Sequence, residues 1–117
     1  MTRTTTATGR SAEERALIYL QQQGLQLVER NVRWRRGEID LVMRDGATLV
    51  FVEVRHRASA RFGSAAASIT ASKRARLWRS AQVFLAGFRT PPPCRFDAVC
   101  IDGDTMTWLR HIVMTAA

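Results

Sequence analysis

Asp40 and Glu53 lie on either side of an Asp45-Gly46 pair, each inside a run of strand-forming residues. Asp-Gly between two such runs is a strong hairpin signal and favours a two-residue type I′ turn. Arg44 then pairs with Ala47, Asp40 faces Phe51 and Glu38 faces Glu53. Cross-strand partners share a sheet face, as do residues two apart along a strand, so Glu38, Asp40, Glu53 and Arg55 project together. In this register Asp40 and Glu53 are diagonal neighbours, about 7–8 Å apart. Carboxylates gathered on an apolar hairpin repel one another and are costly to bury in the ionised form. A hard divalent cation relieves both problems, because Mg²⁺ takes oxygen ligands and typically uses one or two carboxylates. An ion there polarises a phosphate and activates a water, and Arg55 offsets charge developing on the phosphoryl oxygens. The alternative is that arginines simply pair with the two carboxylates, since structural ion pairs gather in the same way.

Charge points in the same direction. Eighteen basic residues face ten acidic ones, a net charge of +8, and Lys73 is the only lysine among seventeen arginines. Arginine presents planar, bidentate donors to phosphate, and an excess of this size on a chain of 117 residues points to a polyanionic partner. The candidate contacts form three clusters: Arg33, Arg35 and Arg36; Arg57 and Arg61 beside Arg55; and Arg74, Arg76 and Arg79. Trp34, between arginines, can stack on a base or pack in the core. No apolar run approaches the roughly 18 residues that span a bilayer, and Met1 to Thr8 has no apolar core of a secretory signal. With Cys94 and Cys100 expected as small reduced hydrophobes, the reading is a cytoplasmic protein without a membrane partner.

The elements that must position these residues follow from periodicity. Ser11-Ala12-Glu13-Glu14 reads as a capping box opening a helix from Ala12 to Gln23, closed by Gly24, with Met1 to Thr8 as a disordered tail. Ala12, Ala16, Leu17 and Leu20 form its apolar arc, and Glu13 falls within that arc, a third candidate ligand. A strand over 25–33, a basic turn over 33–37, and the hairpin strands 38–44 and 47–55 come next. Leu49 to Val54 is apolar on both faces until Glu53, as in a central strand. After a loop over 56–68, Thr70 caps a helix over 71–86 whose stripe is Leu77, Trp78, Ala81, Phe84 and Leu85. Strands over 95–101 and 105–112 form a final hairpin, in which Asp97 is expected to pair with an arginine. His56 and His111 have no partner at ligand spacing. The order α-β-β-β-α-β-β describes an α/β domain with a mixed sheet flanked by helices, residues 9–117 forming a single domain.

Gly9-Arg10-Ser11-Ala12-Glu13, Arg30-Asn31-Val32-Arg33, Gly37-Glu38-Ile39-Asp40-Leu41-Val42, Leu49 through Arg55, and Arg95-Phe96-Asp97 resemble the signatures of the bacterial YraN family. That family in turn resembles the PD-(D/E)xK nucleases and, among them, the archaeal Holliday-junction resolvases. The resemblance implies a restriction-endonuclease-like αβββαβ core with a C-terminal hairpin, and Mg²⁺- or Mn²⁺-assisted phosphodiester hydrolysis. It maps a helix Glu, a strand Asp and a Glu-x-Lys motif onto Glu13, Asp40 and Glu53, with Arg55 at the lysine position. It also implies a homodimer.

Arginine in place of lysine matters chemically, because a guanidinium is not deprotonated in proteins and cannot act as a general base. Lys73 can substitute if its helix packs beside the hairpin; otherwise it is a surface lysine or a phosphate contact. Two functions are therefore carried forward. One is a nucleic-acid-binding protein, with DNA as its partner, whose metal-dependent endonuclease site acts on branched or single-stranded substrates. The other is a catalytically inactive nucleic-acid-binding module with the same fold.

Overall fold

The computed structural model describes residues 7–59 and 63–112. The elements are α1 (Ala7–Gln22), β1 (Gln26–Trp34), β2 (Gly37–Asp45), β3 (Thr48–Arg57), a 3₁₀ turn (Ala66–Ser68), α2 (Ala71–Leu85), β4 (Cys94–Asp102) and β5 (Thr105–Leu109). This is the expected order. The strands form one mixed sheet in the order β1-β2-β3-β4-β5, antiparallel throughout except for β3 against β4. A parallel pair needs a long crossover connection, and α2 supplies it.

Alternation along β3 assigns the helices to opposite faces. Val50 and Val52 pack with Ala12, Ala16, Leu17 and Leu20 of α1. Leu49 and Phe51 pack with Leu77, Ala81 and Leu85 of α2. The strand is therefore buried on both sides, which is why it reads as a continuous apolar run. Thr70 caps α2 as expected, its side chain accepting from Lys73 N–H. Gly24, at φ +98°, closes α1: Leu25 N–H reaches Leu20 O and Gly24 N–H reaches Gln21 O, the two bonds of a Schellman cap.

Several boundaries move. α1 begins at Ala7, so Ser11 lies inside the helix and is not its cap; residues 7 and 8 of the expected tail are helical, and residues 1–6 lie outside the described residues. Once the stretch from Ala12 to Leu20 is docked, each residue added upstream gains a backbone bond without a new nucleation cost. The final strand stops at Leu109 rather than Ile112. His111 adopts φ +55°, its N–H donates to Asp97 Oδ1 at 3.1 Å, and Ile112 N–H donates to Phe96 O at 2.7 Å, turning the chain back over β4. Both cysteines are free, but only Cys100 is the buried hydrophobe expected; Cys94, at the start of β4, is exposed.

The central hairpin has a register two residues from the expected one. Asp45 pairs with Thr48, leaving Gly46 and Ala47 at the tip. Gly46 has φ +63° and Ala47 does not have a positive φ, which is the type II′ pattern and not type I′. Asp45 is held in the ladder rather than the tip, and its Oδ2 accepts from Arg95 Nη1 at 2.9 Å. A shift of one residue would have sent Glu53 to the other face; a shift of two preserves parity. Glu38 therefore does not face Glu53. The position opposite Glu53, counting on from the last bonded pair Leu41↔Val52, is Asp40.

Candidate functional site

The sheet forks at that position. β2–β3 pairing ends at Leu41↔Val52, while β1–β2 pairing continues to Trp34↔Gly37 and β3–β4 pairing to Arg57↔Asp102. Inside the fork Val54 N–H donates to the Asp40 side chain, Oδ2, at 2.8 Å. The outer limb also changes face. Arg30 pairs with Glu14 of α1 and Leu41 packs under α1, yet Val32 and Ile39, two residues away on each strand, join the α2 cluster. Between them Asn31 takes φ +54°, a left-handed conformation that asparagine tolerates better than most residues. Splayed limbs let side chains from both faces of the sheet meet in one space.

That space is a cleft of about 740 Å³. Its lining comes from five places: the β1–β2 turn with Arg33 to Gly37, the start of β2 with Glu38 and Asp40, the end of β3 from Glu53 to His56, Glu13 of α1, and Lys73, Arg76, Leu77 and Ser80 of α2. The candidate set Glu13, Asp40, Glu53, Arg55 and Lys73 is thus gathered in a single cleft. Lys73 does pack beside the hairpin.

Asp40 is only 8% exposed. Burial, and then repulsion from Glu53, hold its carboxyl well above the ordinary range; Glu13 and Glu38 push the same way, and the Val54 bond opposes them. Among the described residues no basic group lies within ion-pairing distance of Asp40. Glu53 is also raised by burial, opposed chiefly by Arg55, whose Nη1 lies 3.3 Å from Glu53 Oε2. The arginine-pairing alternative therefore holds for Glu53 and not for Asp40. Lys73 is lowered by burial first and then by Arg55, with Glu53 opposing.

Arg55 is itself held on a second side. Its Nε donates to Ser68 Oγ at 2.9 Å, Ser68 Oγ donates to Ala65 O at 2.6 Å, and Ala65 N–H donates to Asp102 Oδ1 at 2.6 Å. Ser68 and Asp102 were not legible as site residues, being 13 residues from Arg55 and 37 from Ala65 along the chain. Ser80, also missed, is buried beneath the basic turn, and a Cβ at Gly37 would collide with its Oγ. Its only sequence signal is a small polar residue within the apolar stripe of α2.

The arginine clusters divide. Arg33, Arg35, Arg36 and Arg76 line the cleft. Arg57, Arg74 and Arg79 do not; Arg74 Nη1 donates to Ile69 O at 3.4 Å, Arg79 is exposed, and Arg57 is exposed but near enough to Lys73 to act on it. Arg61 lies outside the described residues. Asp97 is fully buried and pairs with Arg95 at 3.1 Å as expected, also accepting from Trp108 Nε1 at 3.0 Å.

Asp40 and Glu53 offer the cleft neighbouring carboxylate oxygens. Among the described residues no group of three or more His, Cys, Asp or Glu side chains is arranged to hold a metal ion. Structural zinc sites need four such protein ligands, whereas Mg²⁺ keeps several waters and asks for one or two carboxylates. A buried carboxylate with no cationic partner, beside a second one, fits that smaller demand. No helix is long and apolar enough to cross a membrane among the described residues.

Residues 12–101 match the model of a family described as Uncharacterised protein family UPF0102. A UPF0102 protein of Janthinobacterium sp. (strain Marseille) is 56% identical over 105 residues, 90% of this chain and 85% of its own length. Another, from Dechloromonas aromatica (strain RCB), is 56% identical over 108 residues, covering 92% and 89%. One from Nitrosomonas europaea is 56% identical over 106 residues, covering 88% and 90%. The matched span holds every candidate carboxylate, the basic turn and the α2 contribution to the cleft, and on it the chain belongs to the UPF0102 (YraN) family.

Proposed function

We propose that this protein binds nucleic acid, with DNA as its partner, and that the forked cleft is a metal-dependent nuclease site. The observation that carries the reading is Asp40: a buried carboxylate without a basic partner among the described residues, crowded by Glu53, at the base of a cleft rimmed by arginine. An ionised group in that position is stable only with a cation beside it. Asp40 and Glu53 are the residues that would hold Mg²⁺ or Mn²⁺, with Glu13 adjoining. When bound, such an ion neutralises charge on the scissile phosphate and lowers the pKa of the attacking water.

The chain's own residues supply the rest. Arg33, Arg35, Arg36 and Arg76 draw the phosphate backbone to the rim. Arg55, fixed between Glu53 and Ser68, offers its remaining guanidinium donors to the developing charge on phosphate. It cannot take a proton. Lys73, in the same cleft as His56, can, and burial makes it easier to deprotonate. The restriction-endonuclease-like arrangement belongs to this same reading, supported by the αβββαβ order and by the meeting of Glu13, Asp40 and Glu53.

A second reading, the inactive binding module, is favoured by one observation. Both Glu53 and Ser68 grip Arg55, so the motif's lysine position serves as structure rather than as a base. Cleavage of branched, flapped and single-stranded DNA with Mg²⁺ and Mn²⁺, against an Asp40→Ala control, separates the two. Metal-dependent cleavage lost in Asp40→Ala supports the enzyme. Nucleic-acid binding with neither cleavage nor calorimetric metal binding leaves the module.

A further inference from the structure

We infer that the cleft takes an unpaired stretch of a polynucleotide strand, with a base stacked on Trp34, rather than a duplex. The inference deepens the proposed function and rests on it. Asp40 is 8% exposed, so a phosphate that reaches it has to enter the cleft, not lie across its mouth. The space measures about 740 Å³, within the range of pockets that enclose a small-molecule-sized ligand. A B-form duplex, wider than its own roughly 12 Å major groove, cannot fit inside a volume of this size. A nucleotide or two of single strand can.

The lining then matches the chemistry of a single strand. Proteins that hold unpaired strands combine a cationic groove for the backbone with an aromatic side chain on which a base stacks. Trp34 is half-buried, packed against the Ile39 and Val42 cluster while also lining the cleft, so one residue joins the core to the cleft wall. Arg33, Arg35 and Arg36 flank it in sequence and line the same wall. Ser80 of α2 lies close beneath Gly37, so that wall packs directly on the helix. A duplex offers its phosphates but keeps its base faces in the stack, so it leaves Trp34 unused. The recognising chemistry, a phosphate next to an exposed base face, is common to DNA and RNA single strands.

The test is fluorescence anisotropy with the full chain, without divalent metal, on labelled 12-mers of one sequence as single-stranded DNA, single-stranded RNA, duplex DNA and single-stranded DNA whose central residues are abasic. Expected is single-strand affinity at least about ten-fold above duplex, with a comparable loss for the abasic strand, the size of one lost stacking contact. Trp34→Phe should keep most of the single-strand affinity. Trp34→Ala should lose about ten-fold on single strands and little on duplex. Because the abasic strand is read with unaltered protein, the result does not depend on how Trp34→Ala folds. Equal affinity for duplex, single and abasic strands overturns this inference and leaves nucleic-acid binding standing. No binding to any of the four at low salt overturns both.

Discussion

Asp40 ties the chemistry of the cleft to the stability of the fold. Its carboxyl is raised from an ordinary value near 3.8, so between that value and its folded-state pKa the folded protein holds more protons than the unfolded chain. Stability then falls as pH climbs through this window, the reverse of a salt-bridged carboxylate. Glu53, also raised, adds in the same sense. Asp40→Asn keeps an oxygen for Val54 N–H and removes the charge. Its melting temperature should exceed the parent's by a few degrees at pH 7.5, with the gap closing towards pH 4. A less stable Asp40→Asn at pH 7.5 would show that the carboxylate is satisfied in a way the geometry does not reveal. Millimolar Mg²⁺ should raise the melting temperature of the parent and not of Asp40→Asn, since a ligand that binds only the folded state stabilises it. Ser68 makes a second expectation at this scale. Ser68→Ala removes the acceptor for Arg55 Nε and should cost about 1 kcal/mol in urea unfolding, with Ser68→Thr recovering most of it.

At the scale of elements, the basic turn and α2 meet through the smallest possible contact. Gly37 brings the β1–β2 turn onto the buried Ser80 with no room for a Cβ. Gly37→Ala should cost about 1–3 kcal/mol, the range of a small overpacking in a tight core. Ser80→Ala in the same chain removes the clashing hydroxyl and should return most of that loss. A double mutant as unstable as Gly37→Ala alone would show that the clash is not the reason for glycine. The fork likewise depends on element-level choices. The type II′ turn sets the β2–β3 register, Asn31 reverses the faces of the outer limb, and Asp40 occupies the hydrogen bond that a further ladder pair would have made.

For the whole molecule, the net charge of +8 sets the expected behaviour in solution. Binding through phosphate contacts releases counterions, so log K should fall with log[salt] by about 0.7 per contact on single strands and 0.9 on duplex. The position of the arginines refines which ones matter. Reversing Arg35, Arg36 and Arg76 to Glu should weaken binding steeply and flatten the salt slope. Reversing Arg79, exposed and outside the cleft lining, should change affinity far less. Equal losses at both sets would place the interface over the whole basic surface instead of the cleft.

Periodicity and turn chemistry are local, so much of the architecture was legible in the sequence: the element order, the apolar stripe of α2, the buried central strand, and the Thr70 and Gly24 caps. The proximity of Asp40 and Glu53, which line one cleft, was legible from the hairpin, whereas the change of face between Leu41 and Ile39 was not. The start of α1 was not legible, because Ser11 carries a cap signal that helix propagation from a docked core overrides. Nor was the fork. It arises where three strand pairings end at different places, and each ending depends on contacts far along the chain, such as Asp40 to Val54 and Asp102 to Ala65. Local sequence determined which residues carry charge and which of them the hairpin brings together. Only the tertiary structure decided that two limbs of one sheet part around them, since that depends on which backbone groups find partners across the fold.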